Sequence, residues 1–130
     1  MIECLIIGDS IAVGVSAYRP ECELHAKVGI TSSHWNNKYK DLTLQAHEVI
    51  ISLGSNDKGI NTERELLLIR SKTKADRVIW VVPAIKQPKE VVQGVAFQSH
   101  DAYVTINQTT GDGVHPTIEE YIRIAKATKK

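Results

Sequence analysis

Long apolar runs are missing from this 130-residue chain, and no stretch approaches the ~20 residues of a membrane span. Charge of one sign is missing as well. Sixteen Lys and Arg against fifteen Asp and Glu leave a formal net charge of +1, so nothing argues for a nucleic-acid or anionic-membrane surface. Cysteine is scarce. Cys4 and Cys22 fall near the starts of the first two expected strands; their thiols are close if those strands are neighbours, but buried, reduced cysteines are the favoured reading. The five histidines are scattered, with no His-Glu-x-x-His and no paired cysteine spacing, so a metal site has little support. Repeats, linkers and low-complexity tracts are absent too, which leaves one domain over residues 1–130. The amino end lacks a basic n-region and a small-residue cleavage site. The expectation is a cytoplasmic chain, or one released without a classical signal.

What is present is alternation. Five apolar or β-branched runs stand out: Ile2–Ile7, Cys22–Val28, Glu48–Leu53, Arg77–Val82 and Ala102–Ile106. The first, third and fourth are nearly continuous in Ile, Val and Leu, the pattern of strands covered on both faces. The second and fifth alternate more, as edge strands do. Helical signals lie between them. Ile11–Tyr18 follows the first strand; Thr62 and Glu65 form a capping box ahead of Leu66-Leu67-Leu68-Ile69. Pro88 precedes an apolar stripe of Val91, Val92, Val95 and Ala96, and Thr117 with Glu120 opens a last helix whose Ile118, Tyr121, Ile122 and Ala125 share one face. Thr31–Leu44 reads as one short helix and a loop. Strands alternating with helices imply a parallel sheet joined by right-handed crossovers, a three-layer α/β/α domain with five strands.

The loops after these strands carry the chemistry. Gly8-Asp9-Ser10 sits at the carboxyl end of the first strand, where open α/β sheets place their reaction sites. Val28-Gly29-Ile30-Thr31 follows the second strand and Leu53-Gly54-Ser55-Asn56-Asp57 the third. Gly111-Asp112-Gly113-Val114-His115-Pro116 precedes the final helix. All of them leave the same sheet edge, and together they suit acyl transfer. A serine hydroxyl becomes a nucleophile when a neutral imidazole takes its proton, and a carboxylate holds and supports that imidazole. Asp112, three residues before His115, lets one loop supply both groups. The Ser10 and Gly29 N–H groups and the Asn56 side-chain amide are the candidate donors to a tetrahedral oxyanion. Each part also has a plain reading. Gly29 can be a tight turn, Asn56-Asp57 an Asx turn, Asp112 a turn former, His115 a helix-flanking residue and Trp35 a core aromatic rather than a groove wall. His25, His34, His47 and His100 read as structural or solvated.

Taken together, the four blocks resemble the SGNH hydrolase (GDSL-like esterase/lipase) superfamily: Gly8-Asp9-Ser10, Gly29, Gly54-Ser55-Asn56-Asp57 and Asp112-Gly113-Val114-His115, in the family's order and across residues 8 to 115. The resemblance implies a flavodoxin-like five-stranded parallel sheet of order 2-1-3-4-5. It implies Ser10 as nucleophile, His115 as base, Asp112 as its partner, and Ser10, Gly29 and Asn56 around the oxyanion. The Gly-x-Ser-x-Gly elbow of α/β-hydrolases is absent. The expected activity is cofactor-free cleavage of a short acyl ester through an acyl-Ser10 intermediate. Its partner is a small acylated substrate, an acetylated carbohydrate among the candidates, with no nucleic acid and no membrane. Two rivals remain: a flavodoxin-like module binding a phosphate or nucleotide at the Gly8–Ala12 turn, and an inactive member serving as an interaction module. Against the first, the turn lacks the Gly-rich phosphate-binding pattern.

Overall fold

A computed structural model describes residues 1–58 and 60–129. Ten elements follow one another: β1 (Ile2–Gly8), α1 (Ser10–Ser16), β2 (Glu23–Ala26), α2 (Ser32–Lys38), β3 (Gln45–Ser52), α3 (Thr62–Lys72), β4 (Lys74–Val82), α4 (Lys86–Gln98), β5 (Ala102–Thr105) and α5 (Ile118–Ala127). The strands form one parallel sheet of order β2-β1-β3-β4-β5. The three apolar runs are the interior strands and the two alternating ones are the edges, as the sequence pattern requires.

Two-residue alternation along the interior strands fills both faces. Leu5 and Ile7, Val49 and Ile51, and Val78, Trp80 and Val82 face one way. They pack against Trp35 of α2, Leu66 and Ile69 of α3, and Val92, Val95 and Ala96 of α4. Cys4 and Ile6, Ile50, Ile79 and Val81 face the other way, against Ile11, Ala12 and Val15 of α1 and Ile124 and Ala125 of α5. The helix carrying Ser10 therefore shares a layer with the helix that follows His115. Trp35 is 1% exposed and its indole N–H donates to the His25 carbonyl at 3.0 Å. It is a core residue, which settles the two readings the sequence left open in favour of the plain one.

Other expectations shift by local physics. The expected α3 capping box is displaced by one residue. Asn61 is the N-cap, its side-chain oxygen accepting the Arg64 N–H at 3.1 Å, while Glu65 accepts instead from the Asn36 amide at 3.0 Å. Thr117 does cap α5, taking the Glu120 N–H at 3.2 Å, but Glu120 turns to the Asn107 and Gln108 amides and to Arg123. Strands β3 and β4 begin earlier than their apolar runs, at Gln45 and Lys74, because a ladder can extend through half-exposed polar ends. Cys4 and Cys22 are joined in a disulfide, which corrects the reduced reading. The cause is topological: β2 is the neighbour of β1, and Glu23 stands opposite Leu5.

At the amino end of the sheet, Arg19 is buried. It donates to Glu48 at 3.0 Å, to the Thr128 hydroxyl at 2.7 Å and to Glu21 at 2.8 Å. Arg77 reaches the same Glu48 and the Thr128 carbonyl. A buried charge set of this kind holds only while each member is paired, and here it fixes the end of α5 onto β3 and β4. Among the described residues, no helix is long and apolar enough to cross a membrane.

Candidate active site

Each residue of Gly8-Asp9-Ser10 has a separate physical task. Gly8 ends β1 at φ +145, and a β-carbon there would stand 1.9 Å from the Ser52 carbonyl oxygen. Only glycine lets the ends of β1 and β3 come so close, and the Asp9 N–H donates to that same carbonyl at 3.0 Å. Asp9 is the N-cap of α1: its carboxylate accepts the Ile11 N–H at 3.0 Å, with the Ser52 hydroxyl at 3.4 Å. Its second oxygen is buried without a partner among the described residues. Burial pushes the Asp9 carboxyl up to about 6, against the opposing pull of these amides. Ser10 then begins the helix with its hydroxyl at the sheet's carboxyl edge.

That hydroxyl lies 2.8 Å from Nε2 of His115. His115 Nδ1 is 2.6 Å from Asp112, whose other oxygen accepts the backbone N–H groups of Val114 at 2.8 Å and His115 at 2.9 Å. The hydrogen bond from the imidazole, then those two amides, hold the Asp112 carboxyl far below the usual carboxylate range. An ionised Asp112 can only accept, so Nδ1 carries the ring proton and Nε2 is free to accept from Ser10. The loop is rigidly folded around this pair. Gly113 turns at φ +70, the Thr110 N–H meets the His115 carbonyl at 2.8 Å, and Thr109 bridges Pro116. Buried Glu120 ties the start of the loop to α5.

The remaining expected residues have different duties. Asn56 is half-buried, and its side-chain amide donates to the Ile30 carbonyl at 3.1 Å. A carboxamide has two N–H groups, so one remains for an oxyanion. Gly29 is exposed with φ +78, and a β-carbon there would touch nothing. Its backbone conformation requires glycine; space does not. Asp57 belongs to the scaffold. It accepts from the Ser32 N–H at 2.9 Å and from the hydroxyls of Ser32 and Thr62, tying the β3–α3 loop to α2. Sequence reasoning missed Asp9 and Tyr121. Tyr121 packs on Gly14 of α1, and its phenol is raised by burial and by the charges of Asp9 and Asp112. A small residue on α1 facing an aromatic on the last helix was the available signal. Where a metal could be held, the described residues offer Cys4, Glu21 and Cys22 together, but those two sulfurs are bonded to each other.

No protein-family model and no curated protein matches the chain in sequence. Solved structures do match in shape. A protein from Bacteroides fragilis assigned as an acylhydrolase superposes with a TM-score of 0.69 at 18% identity, covering 96% of this chain and 83% of its own. A GDSL-like lipase from Parabacteroides merdae gives 0.68 at 15%, covering 95% and 91%. The C-terminal catalytic domain of Streptococcus pneumoniae peptidoglycan O-acetyltransferase A, solved with a methylsulfonyl adduct, gives 0.62 at 17%, covering 97% and 89%. With a parallel sheet of order 2-1-3-4-5 between two helical layers, this chain has the fold of the SGNH hydrolases.

Proposed function

We propose that the protein is a serine ester hydrolase acting on short acyl esters. One observation carries the reading: the unbroken line from Ser10 Oγ to His115 Nε2, and from His115 Nδ1 to Asp112, at 2.8 and 2.6 Å. In the reaction, Nε2 takes the Ser10 proton as Oγ bonds to the acyl carbon, and the carbonyl oxygen becomes an oxyanion. The Ser10 N–H, the Gly29 N–H and the second Asn56 amide proton are its donors. Collapse expels the alcohol, which takes the proton from Nε2, and leaves acyl-Ser10. Water then repeats the sequence and releases the acid.

Acetyl is the favoured acyl group. His115 and Asp112 keep side-chain exposures of 43% and 47%, so the site is shallow. A long chain would forgo the ~0.8 kcal/mol per methylene that a deep pocket yields. The pneumococcal neighbour acts on peptidoglycan, which supports an acetylated carbohydrate here. It also favours one second reading, transfer of the acyl group from Ser10 to a sugar hydroxyl instead of water. The Cys4–Cys22 bond supports work in oxidising surroundings over the expected cytoplasm.

The test pairs a fluorophosphonate probe with acetylated sugars and 4-nitrophenyl acetate. The native chain should label at Ser10 and turn over esters; Ser10→Ala should do neither while unfolding at the same denaturant concentration. An unlabelled, inactive but folded native chain would favour the phosphate-binding or interaction-module rivals. Turnover retained by Ser10→Ala would remove the nucleophile assignment.

A further inference from the structure

A concavity of about 370 Å3 lies between the β2–α2 loop and α2. Lys27, Val28, Gly29 and Ile30 form one side, and His34, Asn37 and Lys38 the other. Its charge is one-sided: Lys27, His34 and Lys38 line it, and among the described residues no carboxylate does. Neither lysine joins an ion pair among the described residues; those pairs use arginine and histidine. Lys38 is also held in place. Its ammonium stands 5.6 Å from the Tyr39 ring centroid, and that ring packs at 4.8 Å on buried Trp35.

The loop forming this pocket is the one that flanks the nucleophile. The Lys27 N–H donates to the Gly8 carbonyl at 3.1 Å, and the Ile30 carbonyl takes the Asn56 amide. An ester lying against Ser10 and Gly29 would thus have the basic pocket at its end. We propose that this pocket is an anion subsite, with Lys27 and Lys38 holding a carboxylate or phosphate on the alcohol portion of the ester. The proposal rests on the esterase reading and narrows its substrate class to acylated acidic compounds. Ammonium groups are compact point charges without Arg's planar fork, so they accept either anion, and their exposure makes the attraction salt-dependent.

Matched acetates test it at low ionic strength: 4-acetoxybenzoate, 4-acetoxyphenyl phosphate and neutral methyl 4-acetoxybenzoate. In Lys27→Ala/Lys38→Ala, the preference in kcat/KM for each anionic ester over the neutral one should fall about fivefold, the size expected of partly screened ion pairs. The fall should lie in KM and shrink at high salt. A larger fall for one anionic ester identifies the carboxylate or the phosphate as the natural group. An unchanged preference in the double variant would overturn the subsite while leaving the esterase intact. If no ester turns over in the native chain, the esterase reading fails, and the subsite is read directly by titrating benzoate and phenyl phosphate against the backbone amide signals of residues 27–38. Shifts there that vanish in the double variant sustain it, and none at all overturns it.

Discussion

At the residue scale, Asp9 and Asn56 invite opposite experiments. Losing one preorganised oxyanion donor costs ~10²–10³ in kcat. Asn56→Ala should therefore lower kcat on that scale with KM little changed, the pattern of a contact made in the transition state. Steady-state kinetics on 4-nitrophenyl acetate check this, and a native kcat would return Asn56 to its bond with the Ile30 carbonyl. Asp9 is a matter of stability. Its folded carboxyl titrates at about 6 against 3.8 for the free group, so between those values the folded state holds more protons than the unfolded one. Its contribution to stability is then most favourable at the acid end of that window and is lost as pH rises through about 6. Each pH unit is worth ~1.4 kcal/mol, so ionised Asp9 costs about 3 kcal/mol at neutral pH. Asp9→Asn should gain about that much relative to the native chain between pH 4 and 7.5, measured by urea unfolding at both. A constant difference would show that the buried carboxyl is not titrating there.

At the scale of elements, the contact between α1 and α5 is the critical one, because one helix begins with Ser10 and the other follows His115. A β-carbon on Gly14 would lie 2.3 Å from the Tyr121 ring. Gly14→Ala should cost ~1–3 kcal/mol through overpacking and lower kcat by moving Ser10 away from His115. Adding Tyr121→Ala should restore much of the activity, since it removes the obstruction. Thermal unfolding and turnover of the three variants decide it; a harmless Gly14→Ala would mean the helices part freely. Sequence pattern made the sheet legible because Ile, Val and Leu run unbroken only where both faces are covered, as in Val49-Ile50-Ile51 and Val78-Ile79-Trp80. It made Ser10, Asp112 and His115 legible because their spacing along the chain already placed each on a loop of one edge. It could not resolve Thr62 from Asn61 as the α3 cap, because both residue types cap and neighbours compete. Nor could it see Asp9's burial, which depends on Ser52 arriving from β3, or decide Trp35, whose fate depends on the packing of α2.

At the scale of the whole molecule, the Cys4–Cys22 bond closes the chain around β1, the Gly8–Ser10 turn and α1. Cross-linking a segment of this size removes unfolded-state freedom worth roughly 3 kcal/mol. Reduction should lower stability by about that amount, read as a shift of the urea midpoint with and without a phosphine reductant. Thiol titration of the unfolded, unreduced chain should find no free sulfhydryl; two would show that the bond does not form. The far end of the molecule sets a different limit. Ser10 and His115 lie 105 positions apart, and the ring that completes the site belongs to a loop buttressed by the last helix. During synthesis Ser10 emerges well before His115. Under the proposed reaction, a copy in which α5 has not yet docked would hold the serine, the sheet and the helix cap without a positioned proton acceptor. Turnover would then serve as a clock for the docking of α5.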